Sequence, residues 1–186
     1  MLKSRIKYRL IVFGGPVGSG KSTQMRYLLI VLRKMNVKSR STFLKSGHLL
    51  AYVLELLLAR IVSKRRDISP IRILFEDALQ LFRRVFKLWL LLDLLSITMK
   101  FLLDIYIPSK LGYTILVEEY IPATIADHLY LSSIAGYSKT KINSFSTRSL
   151  LRLANLCRPI YVVYLDAENS ELYRRWKMRG SVEERR

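Results

Sequence analysis

The chain has 186 residues, of which 51% are hydrophobic and 25% are charged. This composition excludes a disordered or fibrous protein, leaves enough apolar material for a core, and predicts a single domain over residues 1–186. Lysine and arginine number 32 against 14 aspartates and glutamates, which gives a formal net charge of +18, and no acid precedes Glu55. A charge of this sign attracts phosphates, polyanions or an anionic membrane surface.

The sequence contains one cysteine, Cys157. A single cysteine excludes an internal disulfide framework and a multi-cysteine metal site, and it fits a reducing compartment. The chain starts with a basic stretch and a short apolar run, Leu10 to Phe13, which is too short for the apolar part of a signal peptide. The sequence therefore predicts a cytoplasmic protein.

Hydrophobic periodicity predicts strands that alternate with helices along the chain. The predicted strands are 5–14, 37–44, 113–119 and 159–166, the last two buried. The predicted helices are 22–36, 48–62, one or two within 71–107 that end at Pro108, 123–135, 150–156 and 170–179. A basic connector is predicted over 63–70 and a mobile loop, rich in Ser, Thr and Lys, over 136–149. This pattern is typical of an α/β fold with a parallel sheet of about four strands, covered by helices on both faces.

The segment 86–107 is the strongest candidate for a transmembrane helix. It contains Lys87, Asp93, Lys100 and Asp104, whereas a spanning helix needs about 20 mostly uncharged residues. The last three of these side chains share one face of a helix because of their spacing. The sequence therefore predicts no transmembrane segment but an amphipathic helix packed on the sheet. A dimer interface and contact with a membrane surface remain as alternatives.

The residues from Gly15 to Ser22 match the phosphate-binding pattern G-x-x-x-x-G-K-[ST], between a predicted strand and a predicted helix. Phosphate oxygens need converging N–H donors, and glycines let the backbone approach them without a Cβ clash. The helix that follows adds the positive end of its dipole. We expect Lys21 at the β- and γ-phosphates and the Ser22 hydroxyl on Mg²⁺. The predicted ATP-binding residues are Gly15, Pro16, Val17, Gly18, Ser19, Gly20, Lys21, Ser22 and Thr23.

A loop of this kind also needs a carboxylate to complete the metal shell. Ligands gather at the carboxyl ends of parallel strands, and Glu118 and Glu119 end one predicted strand while Asp166 ends another. Either place can supply the carboxylate; the alternatives are solvated charge for the glutamates and a helix cap for Asp166. Arg175 and Arg179 share one side of a helix, where they can neutralise charge during phosphoryl transfer or form a solvated basic face.

These residues, in this order, resemble the thymidylate kinase family of P-loop nucleoside monophosphate kinases. The resemblance runs from Tyr8 to Gly180 and is carried by 18–24, 115–120 and 165–180. It implies a three-layer P-loop NTPase fold, use of ATP and Mg²⁺, a nucleotide substrate and a homodimer. The residue roles that it implies are ATP contact for Arg175 and Arg179, a metal-linked carboxylate for Glu118, and acceptor binding for Glu119 and Tyr120.

The acceptor half of the family pattern is altered in this sequence. Leu44–Gly47 stands where the family has Glu-Pro-Gly-Gly, Leu94 stands where it has a substrate-binding Arg, and Glu119 replaces another Arg. Tyr120 either stacks on a base or packs in the core, and His128 either faces the nucleoside or lies on a helix surface. Family members also continue beyond the length of this chain, so the resemblance implies a short or missing C-terminal lid and last strand.

The sequence thus predicts a phosphotransferase that passes the γ-phosphate of ATP to a nucleotide acceptor, with Lys21, Arg175 and Arg179 as catalytic residues. Two alternatives remain. The net charge of +18 favours a nucleic-acid-associated NTPase. The altered acceptor residues favour a nucleotide-binding relative with a structural or regulatory role.

Overall fold

The computed structural model describes residues 9–65, 69–137 and 141–179. In this part of the chain, strands alternate with helices as predicted. The strands are β1 Arg9–Gly14, β2 Ser39–Phe43, β3 Thr114–Glu118 and β4 Tyr161–Tyr164. The helices are α1 Lys21–Lys34, α2 Leu49–Val62, α3 Pro70–Asp77, α4 Leu79–Phe101, α5 Ile107–Lys110, α6 Ile121–Ala135, α7 Lys141–Leu156 and α8 Asn169–Arg179. A π-helical turn, Leu102–Tyr106, precedes α5.

The described residues divide into two compact units, each built from separate stretches of the chain. The first unit contains residues 9–44, 100–120 and 154–179 and includes the sheet. The second contains residues 45–99 and 121–153, apart from those outside the described ranges, and is helical. Neither unit is therefore a continuous piece of sequence.

The four described strands form one parallel sheet in the order β2-β3-β1-β4. Residues 114–117 of β3 are all buried, although successive side chains point to opposite faces, so this strand is covered on both sides as its continuous apolar run predicts. This confirms the α/β fold with a parallel sheet flanked by helices. Phe13 of β1 pairs with Glu118 of β3, which places the carboxyl ends of the two strands side by side.

The prediction that the fourth strand is buried is wrong. Tyr161, Val162 and Tyr164 of β4 are between 65% and 69% exposed. In the described sheet β4 pairs only with β1 and lies at the edge. The apolar run therefore identified a strand correctly, but an apolar run cannot distinguish a central strand from an edge strand.

The prediction of a mobile loop over 136–149 is wrong from residue 141 onwards, because α7 begins at Lys141; residues 138–140 lie outside the described ranges. Asn143, Ser146 and Leu150 of α7 are buried at helical spacing. Two of these buried residues, Asn143 and Ser146, are polar and bind partners on α6. Because the inward face of the helix contains polar residues, hydrophobic periodicity does not identify it.

The predicted helix end at Pro108 is also wrong, because α5 includes this proline and ends at Lys110. Proline has no N–H to donate and its ring clashes with a regular helix that precedes it. The π-helical turn interrupts the regular pattern, and Pro108 then lies at the start of α5, where helices tolerate proline.

In the long helix α4, the face that contains Asp93 and Lys100 is not the face exposed to solvent. Asp93 is fully buried, and Lys100 forms an ion pair with Asp104 at 2.9 Å, with both side chains at most 20% exposed. Leucines and Met99 form the exposed face instead. The inward side of α4 contributes Phe82, Phe86 and Trp89 to the core of the second unit. No helix in the described ranges has the length and apolarity that crossing a bilayer requires.

A buried chain of polar side chains crosses the second unit. His128 is fully buried rather than on a surface, and its Nδ1 lies 2.8 Å from Ser146 Oγ while its Nε2 lies 2.7 Å from Asp93 Oδ2. The other oxygen of Asp93 accepts a 2.8 Å bond from the Gly47 N–H. Each link satisfies a group whose burial alone would be costly, so this chain fixes α4, α6 and α7 to one another.

Glu55 of α2 is a second buried acid in this unit. It is 4% exposed, and its Oε1 accepts a 2.7 Å bond from Trp89 Nε1–H. Burial raises the pKa of Glu55 to about 7, the hydrogen bond from Trp89 opposes the rise, and the charge of Asp93 adds to it. Protonation of this carboxyl in the folded protein therefore changes near neutral pH.

Candidate active site

The phosphate-binding sequence forms the connection between β1 and α1 in the first unit. Gly15, Gly18 and Gly20 have φ angles of 134°, 92° and 94°, a region that L side chains adopt only with strain. A Cβ on Gly15 would lie 2.0 Å from the carbonyl oxygen of Leu165, which follows β4. The sequence therefore requires glycine at position 15 for space as well as for conformation.

We expect Gly15→Ala to destabilise the protein by about 2 kcal/mol or more, because it adds a steric overlap to the strain of a positive φ. Gly112→Ala is the matched control, since Gly112 has a φ of 83° and no atom within 4 Å of a Cβ built there. That control isolates the conformational strain, at about 1 kcal/mol. Urea unfolding measures both changes, and equal losses would contradict the packing that we describe around Gly15.

Lys21, the first residue of α1, turns back over the loop that precedes it. The side chain is 5% exposed, and its Nζ donates to the carbonyl oxygens of Gly15 at 2.8 Å and Pro16 at 3.0 Å. An ammonium group has three donors, so these two bonds fix its position and leave one donor for a further acceptor. The predicted role of Lys21 at phosphate oxygens fits this placement.

Ser22 and Glu118 are 96 residues apart in sequence and meet beside the loop. Ser22 Oγ lies 2.7 and 2.9 Å from the two carboxylate oxygens of Glu118, to which it donates. The pairing of β1 with β3 brings them together, because Glu118 ends β3 next to the strand that leads into the loop. A hydroxyl and a carboxylate are hard oxygen donors of the kind that Mg²⁺ prefers.

Ser19, in the middle of the loop, supplies a further polar atom. Its Oγ is buried and has no hydrogen-bond partner among the described residues. A buried hydroxyl without a partner is costly, and an acceptor such as a phosphate oxygen would satisfy it. The loop around Gly15 and Ser19 therefore fits the phosphate group that the sequence predicts there.

Arg175 of α8 reaches the same loop from the far end of the sequence. Its Nη1 donates to the carbonyl oxygen of Gly18 at 3.0 Å, and its Nε donates to Glu171 Oε1 at 2.7 Å. Hydrogen bonds from Arg174 and Arg175 lower the pKa of Glu171 to about 2, so this carboxylate is ionised and orients both guanidinium groups. Arg179 is the last residue of α8, and its side chain lies outside the part of the chain that the structure describes.

Lys21, Ser22 and Glu118 line a cleft of about 100 Å³. It lies at the carboxyl end of β3 and beside the start of α1, where ligands of parallel sheets bind. The residues that line it are Val17, Gly18, Gly20, Lys21, Ser22, Thr23, Glu118 and Glu119.

The structure separates the two residues that the resemblance assigns to an acceptor. Glu119 lines the cleft, and its φ of 58° is left-handed, a strained conformation that is found at functional sites more often than elsewhere. Tyr120 is 4% exposed, and its hydroxyl donates to the carbonyl oxygen of Cys157 at 2.7 Å, so it packs in the core. Asp166 bonds the backbone N–H of Ala167 at 2.9 Å, and no described contact joins it to Ser22.

Two contributors to this site are absent from the sequence prediction. Leu165 meets the loop through its backbone oxygen, which no side-chain pattern reveals. Glu171 orients Arg175, and its only sequence signal is the spacing of four residues between opposite charges.

Comparisons with known proteins give a likeness of structure only. No protein-family model matches the chain, and no curated protein matches its sequence. Among solved structures, thymidylate kinase from Ehrlichia chaffeensis aligns with 90% of this chain and 77% of that one, at 21% identity and a TM-score of 0.46. Thymidylate kinase from Candida albicans aligns with 95% and 75%, at 18% identity and a TM-score of 0.39. Likeness at this level carries no evidence about activity or substrate.

Proposed function

We propose that the chain is a phosphotransferase that binds Mg-ATP in the loop Gly15–Thr23 and passes the γ-phosphoryl group to a nucleotide. The observation that carries the proposal is the meeting of Ser22 with Glu118 directly beside the loop. A hydroxyl at the start of α1 and a carboxylate at the end of β3 form a cation site at one edge of a phosphate cradle. A simple anion-binding turn would need the cradle but not the carboxylate.

In this proposal, the residues of the chain act by position and charge rather than by covalent chemistry. The loop N–H groups and the Ser19 hydroxyl hold the phosphate oxygens, and Lys21 supplies a charge at a fixed position. Arg175 is close enough to the loop to neutralise charge on the transferred group, and Glu171 orients its guanidinium. Arg179 lies four residues further along the sequence, and we predict that it shares this role.

Ser22 and Glu118 would hold the metal ion of the nucleotide complex. When bound there, Mg²⁺ would supply positive charge beside the phosphate groups. We propose that Glu119 faces the acceptor, because it lines the cleft beside Glu118 in a strained conformation. We propose a nucleoside monophosphate as the acceptor, on the strength of the sequence resemblance.

The test is a coupled assay of ADP release with a panel of nucleoside monophosphates, for the wild type and for Glu118→Gln. Loss of the carboxylate weakens the cation site, so we expect turnover at limiting Mg²⁺ to fall about tenfold or more, with partial recovery as Mg²⁺ is raised. Glu168→Gln is the matched control, because Glu168 is an exposed acid with no described contact to the loop. We expect it to behave like the wild type.

The assay also separates the proposed activity from simple nucleotide binding. If calorimetry detects ATP binding but no acceptor in the panel gives ADP, the phosphotransferase proposal fails and a nucleotide-binding role without catalysis is supported. If Glu118→Gln and the wild type have the same Mg²⁺ dependence, the proposed cation site is wrong.

A further inference from the structure

Residues 46–50, near the start of the second unit, form a connection that ends in the first turn of α2. We call them the 46–50 segment. The Ser46 hydroxyl donates to Asp127 Oδ2 of α6 at 2.7 Å, and the Gly47 N–H donates to Asp93 Oδ1 of α4 at 2.8 Å. Carboxylates on two other helices of the unit therefore hold this segment in place.

The backbone of the 46–50 segment is strained at one residue. Leu49 has a φ of 46°, a left-handed conformation that a leucine adopts only at a cost, whereas the φ of 76° at Gly47 suits glycine. Directly after the strained residue, the Leu50 N–H donates to Ser96 Oγ of α4 at 3.2 Å. Because strain works against the closed conformation, the segment depends on its hydrogen bonds to stay closed.

The carboxyl group of Glu55 lies directly against the 46–50 segment. A Cβ built on Gly47 would lie 3.4 Å from Glu55 Oε1 and 4.0 Å from Oε2. The turn at Gly47 is therefore next to Glu55 on one side, while its N–H binds Asp93. Glu55 is 4% exposed and Asp93 is 0% exposed. The segment thus covers two acids that are buried close to each other.

The groups around Glu55 come from three other helices. From α4, Trp89 donates its indole N–H to Oε1 at 2.7 Å, and the charge of Asp93 raises the pKa of Glu55. His128 of α6 lies beyond Asp93, 2.7 Å from its Oδ2, and α3 contributes the apolar Leu74 to the same core. An ionised Glu55 would thus have a neutral indole as its hydrogen-bond donor and a second carboxylate as a charged neighbour.

We propose that Glu55 and Asp93 form a pH-sensitive latch for the 46–50 segment. While Glu55 is protonated, the Gly47 N–H stays on Asp93 and the segment is closed over both acids. When Glu55 loses its proton, two buried carboxylates repel each other, and movement of the turn at Gly47 lets water reach them. The segment therefore opens more often as the pH rises. The proposal does not depend on the phosphotransferase activity.

The direction of the effect follows from the number of bound protons. The pKa of Glu55 is about 7 in the closed form and returns towards the ordinary 4.5 when water surrounds the group. Between these two values the open form holds fewer protons, so rising pH favours it. The opening equilibrium therefore grows by up to about tenfold per pH unit over this interval and levels off above it.

The test is amide hydrogen exchange of the full chain, followed by NMR at pH 5 and pH 8 and corrected for the intrinsic exchange rate at each pH. We expect the protection of the Gly47 and Leu50 amides to fall by about tenfold or more, relative to that of the amides of β3. Glu55→Gln should abolish this dependence on pH. Glu168→Gln, the same substitution at an exposed position, is the matched control and should behave like the wild type.

The Trp89 indole reports the proton on Glu55 independently of opening. Its N–H resonance, assigned with Trp176→Phe, should shift with a midpoint near pH 7 in the wild type and should not shift in Glu55→Gln. Asp127→Asn weakens a different bond of the segment and leaves Glu55 in place. We expect it to lower protection at both pH values without changing the dependence on pH.

Four results would each overturn the latch. The first is an indole titration without any change in protection, because Glu55 would then ionise inside a closed segment. The second is the absence of that titration. The third is an equal loss of protection in β3, because the whole protein would then be opening. The fourth is a dependence on pH that persists in Glu55→Gln. If this variant does not fold, as judged by far-UV circular dichroism, the wild-type measurements alone decide between the first three results and the latch.

Discussion

We expect Lys21→Ala to lower the affinity for Mg-ATP by about a hundredfold, measured by isothermal titration calorimetry. Hydrogen bonds to charged groups contribute roughly 1.5–3 kcal/mol each, and this ammonium is 5% exposed and fixed above the loop by two carbonyls, so its charge acts at short range with little screening. The control is Lys34→Ala, which removes an exposed lysine from the last turn of the same helix and leaves the loop intact. We expect its affinity to match that of the wild type.

Lys21→Ala can lower the affinity for Mg-ATP in two ways, by removing a phosphate contact or by destabilising the loop, and these two causes must be separated. Removing Lys21 also removes two hydrogen bonds to the loop backbone, so urea unfolding is measured without nucleotide for the same variants. If Lys21→Ala bound Mg-ATP as tightly as Lys34→Ala, the loop would not be a nucleotide site. If its affinity fell only in proportion to a loss of folded protein, Lys21 would have a structural role alone.

The second large effect concerns pH. We expect Glu55→Gln to stabilise the protein above pH 7 relative to the wild type by on the order of 3 kcal/mol, and to give no such gain below pH 4.5. The pKa of Glu55 is raised from 4.5 to about 7 in the folded state, so the unfolded chain releases its proton first as the pH rises. The free energy of unfolding of the wild type therefore falls between these two pH values and levels off above the upper one.

The glutamine variant has no proton to release, so this contribution disappears while the amide oxygen can still accept the Trp89 N–H. The measurement is urea unfolding of wild type and variant across the interval, with Glu168→Gln as a control that makes the same substitution at an exposed position. A pH-independent difference between Glu55→Gln and the wild type would contradict this prediction, because it would show that folding does not raise the pKa of Glu55.

How much of the site the sequence predicts depends on how local each interaction is. The loop at Gly15–Ser22 is predictable because its chemistry resides in consecutive residues. Glu118 is predictable as one of two candidates, because a strand end can be located in the sequence. Both β3 and β4 pair with β1, so only the contact of Ser22 with Glu118 in the structure favours Glu118 over Asp166. The packing of Tyr120 against Cys157 depends on residues far apart, and the sequence leaves it open.

The same distinction explains the fold errors. Residues 141–149 appear loop-like in composition because Asn143 and Ser146 are polar, yet partners on α6 make their burial favourable. Asp93 and Glu55 are each flanked by leucines in the sequence. For Asp93 the sequence predicts a place on the charged face of an amphipathic helix, whereas in the structure His128 binds Asp93 and Trp89 binds Glu55. The sequence does carry one signal of this buried network, namely isolated acids within strongly apolar helices.

Because Cys157 is buried, its reactivity towards a thiol reagent depends on opening of the structure around it. This cysteine is fully buried beside Ser109, and burial raises the pKa of its thiol, so both access and thiolate content are low in the folded state. A thiol-selective dye can then react only when the surrounding unit opens. Since the protein has no second thiol to confuse the signal, the rate of labelling would report how often that unit opens, without any engineered probe.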